Sequence, residues 1–151
     1  MVRQHHRRNV RLIPLLAAFV LGPAGTLAQA AGPAGISQPL TDQPGNPKRG
    51  EAIAMDFNRG DCNGCHRLPV PGVQADDFGD LGPSLAGVGS RLTVPELRQR
   101  VVNAKAISPE TIMPAYFLTA GLNRVAPKYA GKTILTAQEV EDVVAYLATL
   151  K

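Results

Sequence analysis

The sequence predicts a mostly α-helical domain of about three to four helices joined by long irregular loops. Three observations predict it. Three segments carry apolar residues at helical spacing, two of them opened by a capping box. No segment shows the convincing apolar/polar alternation of a half-buried strand. The chain has 151 residues, which suits one domain of ordinary size and not two.

Taken in order, residues 1–11 are basic, and Leu12 to Leu21 (LIPLLAAFVL) is a ten-residue apolar run. A membrane-spanning helix needs roughly 20 apolar residues. The run therefore reads as the core of a cleaved secretory signal, with the cut placed after Ala30 in Ala28-Gln29-Ala30. No permanent membrane span is expected. Residues 31–47 are rich in Gly and Pro and read as a mobile arm or linker. The folded domain is expected over 48–151.

Its first helix is expected at about 48–58, behind Pro47 and ahead of Gly60, with Ile53 and Phe57 four apart. Gly50 and Ala54 form a small pair that would let another helix approach closely. A second helix is expected from Val94 to Ala104, with a Thr93/Glu96 capping box and an apolar stripe of Val94, Leu97, Val101 and Ala104. The third is expected over 137–150, with a Thr136/Glu139 box and a stripe of Val140, Val143, Val144, Leu147 and Leu150. Glu139, Glu141 and Asp142 lie at its positive end and Lys151 at its negative end, as the helix dipole favours. The first and last helices are expected to cross, Gly50 and Ala54 against Val143, Tyr146 and Leu147.

Composition excludes several functions. The formal net charge is +4, but Arg3, Arg7, Arg8 and Arg11 all belong to the signal, and without them 12 basic residues face 12 acidic ones. A nucleic-acid binder is not expected. Hydrophobic residues make up 44%, enough for a core, while aromatics are 5% and Trp is absent, so a prosthetic group has room to act as filler. Gly131-Lys132-Thr133 lacks the glycine five positions earlier that a phosphate-binding loop needs. A single processed-chain histidine leaves no Ser-His-Asp set.

The chemistry concentrates at Cys62-Asn63-Gly64-Cys65-His66. Cys62 and Cys65 are the only cysteines, and C-x-x-C-H is the attachment signature of a c-type haem. Each thiol adds to one vinyl group, the two-residue turn sets both sulfurs along one ring edge, and His66 becomes the proximal iron ligand. Two other readings compete. A dithiol redox pair wants a βαβ context that is not found. Half of a zinc site needs further ligands that the chain lacks once His5 and His6 leave with the signal. Export also suits haem, which is attached to reduced thiols outside the cytoplasm.

The sixth ligand follows by elimination, since no second histidine and no third cysteine survive processing. Met55 lies seven residues before Cys62, too near to reach the opposite ring face. Met113 lies 47 residues after His66, and Pro114 pushes it out of helical geometry. Against the alternative of core filling, Met113 is the expected distal ligand. A carbonyl in Gly82-Pro83-Ser84-Leu85, that of Pro83, is expected to accept the other imidazole N–H of His66.

Met113-Pro114-Ala115-Tyr116-Phe117, then Arg124 to Lys132, then Ile134 to Leu147, together resemble the SoxX subunit of the SoxAX sulfur-oxidation cytochromes. The resemblance covers about 48–151. It implies a class I cytochrome c-like fold around one covalent haem c, in a periplasmic protein paired with a SoxA-type cytochrome. It further implies a complex that oxidatively couples thiosulfate to a cysteine of the carrier SoxYZ, an L-cysteine S-thiosulfotransferase whose reactive cysteine lies on SoxA. Electrons then leave to a downstream acceptor. The bottom-up count agrees: with Cys62 and Cys65 consumed, this chain keeps no free thiol and no catalytic residue, only electron transfer. The face around the haem edge and the Met113-to-Tyr129 loop is the expected partner surface. The alternatives are a free-standing soluble cytochrome c shuttle and a periplasmic dithiol protein.

Overall fold

The computed structural model describes residues 35–151. The apolar run, the cut after Ala30 and the first residues of the arm lie outside the described residues. Among the described residues four α-helices are present: α1 (Pro47–Met55), α2 (Val88–Arg91), α3 (Val94–Asn103) and α4 (Ala137–Thr149). Short 3-10 turns occupy Cys62–Gly64, Ala75–Asp77, Ala104–Ala106 and Pro127–Tyr129, and no strand occurs among the described residues. Nor is any described helix long and apolar enough to cross a membrane. The described residues are helical with long irregular loops, as the sequence predicts.

Helix α1 starts at Pro47 because the Asn46 side chain accepts from the backbone N–H of Lys48 and Arg49, at 3.0 and 3.1 Å. It ends at Met55, three residues short of expectation. Asp56 turns extended, and the N–H groups of Asp56 and Gly60 both return to the Ile53 carbonyl. Phe57 therefore leaves the face it would share with Ile53 and is 79% exposed. Both expected capping boxes form, at Thr93/Glu96 and Thr136/Glu139.

Helix α4 is the hub on which α1, α2 and α3 pack. Its crossing with α1 is the expected one. Ala54 is fully buried, and a Cβ on Gly50 would fall on the Asp142 carbonyl and 2.9 Å from the Tyr146 Cβ. Val140, Val143, Val144 and Leu147 are buried, joined by Leu97 and Val101 of α3. Two stripe positions differ. Val94, in the first turn of α3, is 44% exposed, and Leu150 stands past the end of α4, half-buried.

The expectation of a mobile arm over 31–47 is corrected for residues 35–46, which lie strapped along α3 and α4. The Ile36 carbonyl accepts from Arg98 at 2.6 Å, and the Leu40 N–H donates to Glu141 at 2.9 Å. Thr41 donates to Gln138 at 2.9 Å and the Asn46 N–H to Asp142 at 2.7 Å. Gly and Pro here allow a close-fitting irregular path rather than mobility.

The acids of α4 also do more than complement its dipole. Glu139 pairs with Arg59, Glu141 with Arg98 of α3, and Asp142 with Arg49 of α1. Arg98 and Glu141 are both buried, joined by bonds of 2.7 and 2.9 Å. Burial alone would push the carboxyls of Glu141 and Asp142 up. Arg98 and the Leu40 N–H outweigh it at Glu141, and Arg49, the Asn46 N–H and Gln138 at Asp142, so both end below their ordinary values.

Candidate haem site

The attachment segment is a single 3-10 turn, Cys62–Gly64, entered through Asp61 at a left-handed φ of 45°. Aspartate tolerates that region better than most side chains. The N–H groups of Cys65 and His66 both bond to the Cys62 carbonyl, at 3.2 and 2.8 Å, which winds the two cysteines onto one tight turn. Both are half-buried free thiols. Burial first, and the nearby Asp61 charge second, push the Cys62 thiol up to about 12. A redox dithiol needs the opposite, a thiolate stabilised by positive surroundings. The two thiols share one tight turn, the arrangement that two thioether bonds along one ring edge need.

The loop after the motif is stitched to it rung by rung. Gly79 N–H bonds to the Asn63 carbonyl, Gly82 N–H to that of Cys65, and Leu85 N–H to that of Arg67, at 2.9, 2.8 and 2.9 Å. This places the Pro83 carbonyl 2.7 Å from His66 Nδ1. A carbonyl only accepts, so Nδ1 carries the proton and Nε2 keeps its lone pair for a metal. Gly82 lies against the imidazole, and a Cβ there would overlap the ring. Arg91 of α2 holds the loop from behind, donating to the carbonyls of Ala86 and Ser84 at 2.5 and 3.1 Å.

Met113 sits half-buried against the core on the loop between α3 and α4. Lys105 clamps the start of that loop through the Pro109 and Thr111 carbonyls, at 3.3 and 2.5 Å, and the Thr111 hydroxyl accepts from the Met113 N–H at 3.2 Å. Past Met113, Tyr116 is the anchor. Its N–H bonds to the Val101 carbonyl, its carbonyl accepts from Leu135, and its hydroxyl donates to the Gly60 carbonyl at 2.6 Å. Met55 is on α1.

The structure thus brings His66 and Pro83 into contact and joins the Cys62 and Met113 segments through Tyr116. Sequence reasoning gave no role to Tyr116, Gly82 or Arg91. Tyr116 had a signal, as one of three tyrosines in a chain with few aromatics. The other two act through the loop's path, which no local pattern encodes.

The donor set fits a c-type haem: two free thiols on one turn, an imidazole oriented through Nδ1 with Nε2 free, and a thioether on a separate anchored loop. The cytochrome c family model matches residues 47–151. The chain belongs to the cytochrome c family. It carries one covalently bound haem c and serves electron transfer. No curated protein matches the sequence. Among solved structures, SoxXA from P. pantotrophus is similar, with a TM-score of 0.70 and 37% identity over 78% of this chain and 90% of that one. That similarity supports the SoxX branch of the family, as the sequence resemblance implies.

Proposed function

We propose that this cytochrome is the periplasmic electron-transfer subunit of a SoxAX-type complex. Residues 1–30 are its cleaved signal, 31–47 its N-terminal arm and 48–151 its haem domain. Cys62 and Cys65 hold the haem as thioethers, His66 is the proximal ligand and Met113 the distal one, with Pro83 fixing the His66 ring. The single observation that carries the reading is the similarity to SoxXA, at an identity that reaches beyond fold.

When bound, the haem supplies one-electron chemistry. Conjugating thiosulfate to a carrier thiol forms one S–S bond and releases one proton and two electrons. The sulfur chemistry belongs to the SoxA-type partner and the SoxYZ carrier, because both cysteines of this chain are spent on haem. This chain's residues hold and orient: the turn fixes the sulfurs, Pro83 keeps the proton on Nδ1, and the anchored loop carries the Met113 thioether. A site built this tightly changes oxidation state with little rearrangement, as electron transfer requires.

The test is to express the chain with and without a SoxA-type partner and assay thiosulfate-dependent thiol conjugation. The expected result is a co-purifying pair that turns over, and a chain that alone is inactive. Intact mass should show a chain from Ala31 plus one haem. Met113→Ala should abolish the near-infrared Met–Fe(III) band. Turnover by this chain alone would overturn the relay reading, and purification alone with no affinity for the partner would favour a free-standing shuttle.

A further inference from the structure

We propose that the Tyr116 hydroxyl bolts the Met113 loop to the haem-attachment loop, making Tyr116 the positioning residue for the distal ligand; this rests on the reading of Met113 as that ligand. The bond is short, 2.6 Å, and both ends are buried, Tyr116 at 8% exposure and Gly60 also inside. It joins residues 56 apart in sequence. Gly60 stands two residues before Cys62, and Tyr116 three after Met113.

The links on either side are stiff. Pro114 has a fixed φ, and Ala115 is buried. Tyr116's own backbone is held to α3 at Val101 and to Leu135, next to the cap of α4. The phenol therefore has a fixed base from which to pin the Gly60 carbonyl. That carbonyl has one other donor, the Cys62 thiol at a long 3.8 Å. Thioether formation removes the S–H, and Tyr116 then remains as its donor. Haem attachment thus makes the bolt more important. A buried carbonyl left without a donor is costly, so the two loops resist separation.

Tyr146 supplies an internal control. It is buried to 5% exposure on α4, yet its hydroxyl bonds to none of the described residues. Removing that hydroxyl breaks no bond among them.

The experiment uses the ferric holoprotein and reads two quantities: the rate at which cyanide displaces the distal ligand, and amide hydrogen exchange over residues 112–117. Tyr116→Phe is expected to speed displacement roughly three- to tenfold, as loss of one buried hydrogen bond implies, and to raise exchange in the segment. Tyr146→Phe and the core variant Ile53→Val are expected to stay within about twofold of the parent, since the Tyr146 hydroxyl makes no bond to Tyr116 or Gly60 and Ile53→Val keeps the backbone carbonyl that accepts from the Gly60 N–H. Equal rates in Tyr116→Phe and the parent, or the same acceleration in all three variants, would overturn the proposal. A parent protein without the near-infrared Met–Fe(III) band would overturn the Met113 assignment instead. The bolt is then judged on exchange alone, and unchanged exchange in Tyr116→Phe overturns it.

Discussion

Gly82 faces the His66 imidazole so closely that any Cβ must displace the ring or the loop. Gly82→Ala should therefore overpack the proximal side, costing about 1–3 kcal/mol. It should also tilt the imidazole away from the Pro83 carbonyl. The checks are a lower melting midpoint of the holoprotein and altered axial-ligand signals in electron paramagnetic resonance. Arg98 tests a different physics. Its guanidinium and the Glu141 carboxylate are about equally buried, so removing one partner strands the other. Arg98→Met should cost about 3–5 kcal/mol in urea unfolding, and Arg98→Met with Glu141→Leu should recover most of it. Of these residues, Pro83 was readable in the sequence as a carbonyl in a proline-fixed loop. Arg98 was not, because charge at a helical position normally signals solvent.

At the scale of elements, the α1/α4 crossing closes the domain. Small Gly50 and Ala54 were legible as a pair because helical spacing is local and repeats every turn. Ala54 is fully buried, so Ala54→Leu should overpack the crossing and cost about 1–3 kcal/mol, seen as a lower holoprotein melting midpoint. The end of α1 was not legible. Phe57 suits a helix by spacing, but the Ile53 carbonyl is taken by Asp56 and Gly60, which turn the chain toward Cys62. The 35–46 segment was misread for a related reason. Its Gly and Pro content describes what the backbone can do, whereas its order comes from bonds to Arg98, Gln138, Glu141 and Asp142.

For the whole molecule, the α4 acids link the strap, α1 and α3 and make stability depend on pH. Glu141 and Asp142 have folded values below their unfolded ones, so the folded state binds fewer protons there. Their stabilisation is complete above the unfolded carboxylate values, about pH 4, and is lost as pH falls through the lower folded values. Urea midpoints should therefore hold from neutrality to about pH 5 and drop below about pH 4. Glu141→Gln should flatten that drop more than Asp142→Asn, because Arg98 is buried while Arg49 is 57% exposed and screened by solvent.

By itself the sequence determined the helical class, both capping boxes, the crossing pair and the C-x-x-C-H motif. All of these rest on residues within a few positions of one another. The tertiary structure decided what joins distant segments. Leu40 to Glu141 spans 101 residues, Tyr116 to Gly60 spans 56, and Arg98 to Glu141 spans 43. Caps and periodicities follow from the geometry of one turn, and a chain carries them wherever it goes. A buried ion pair or a pinned carbonyl exists only once the core has brought two elements together and excluded water between them.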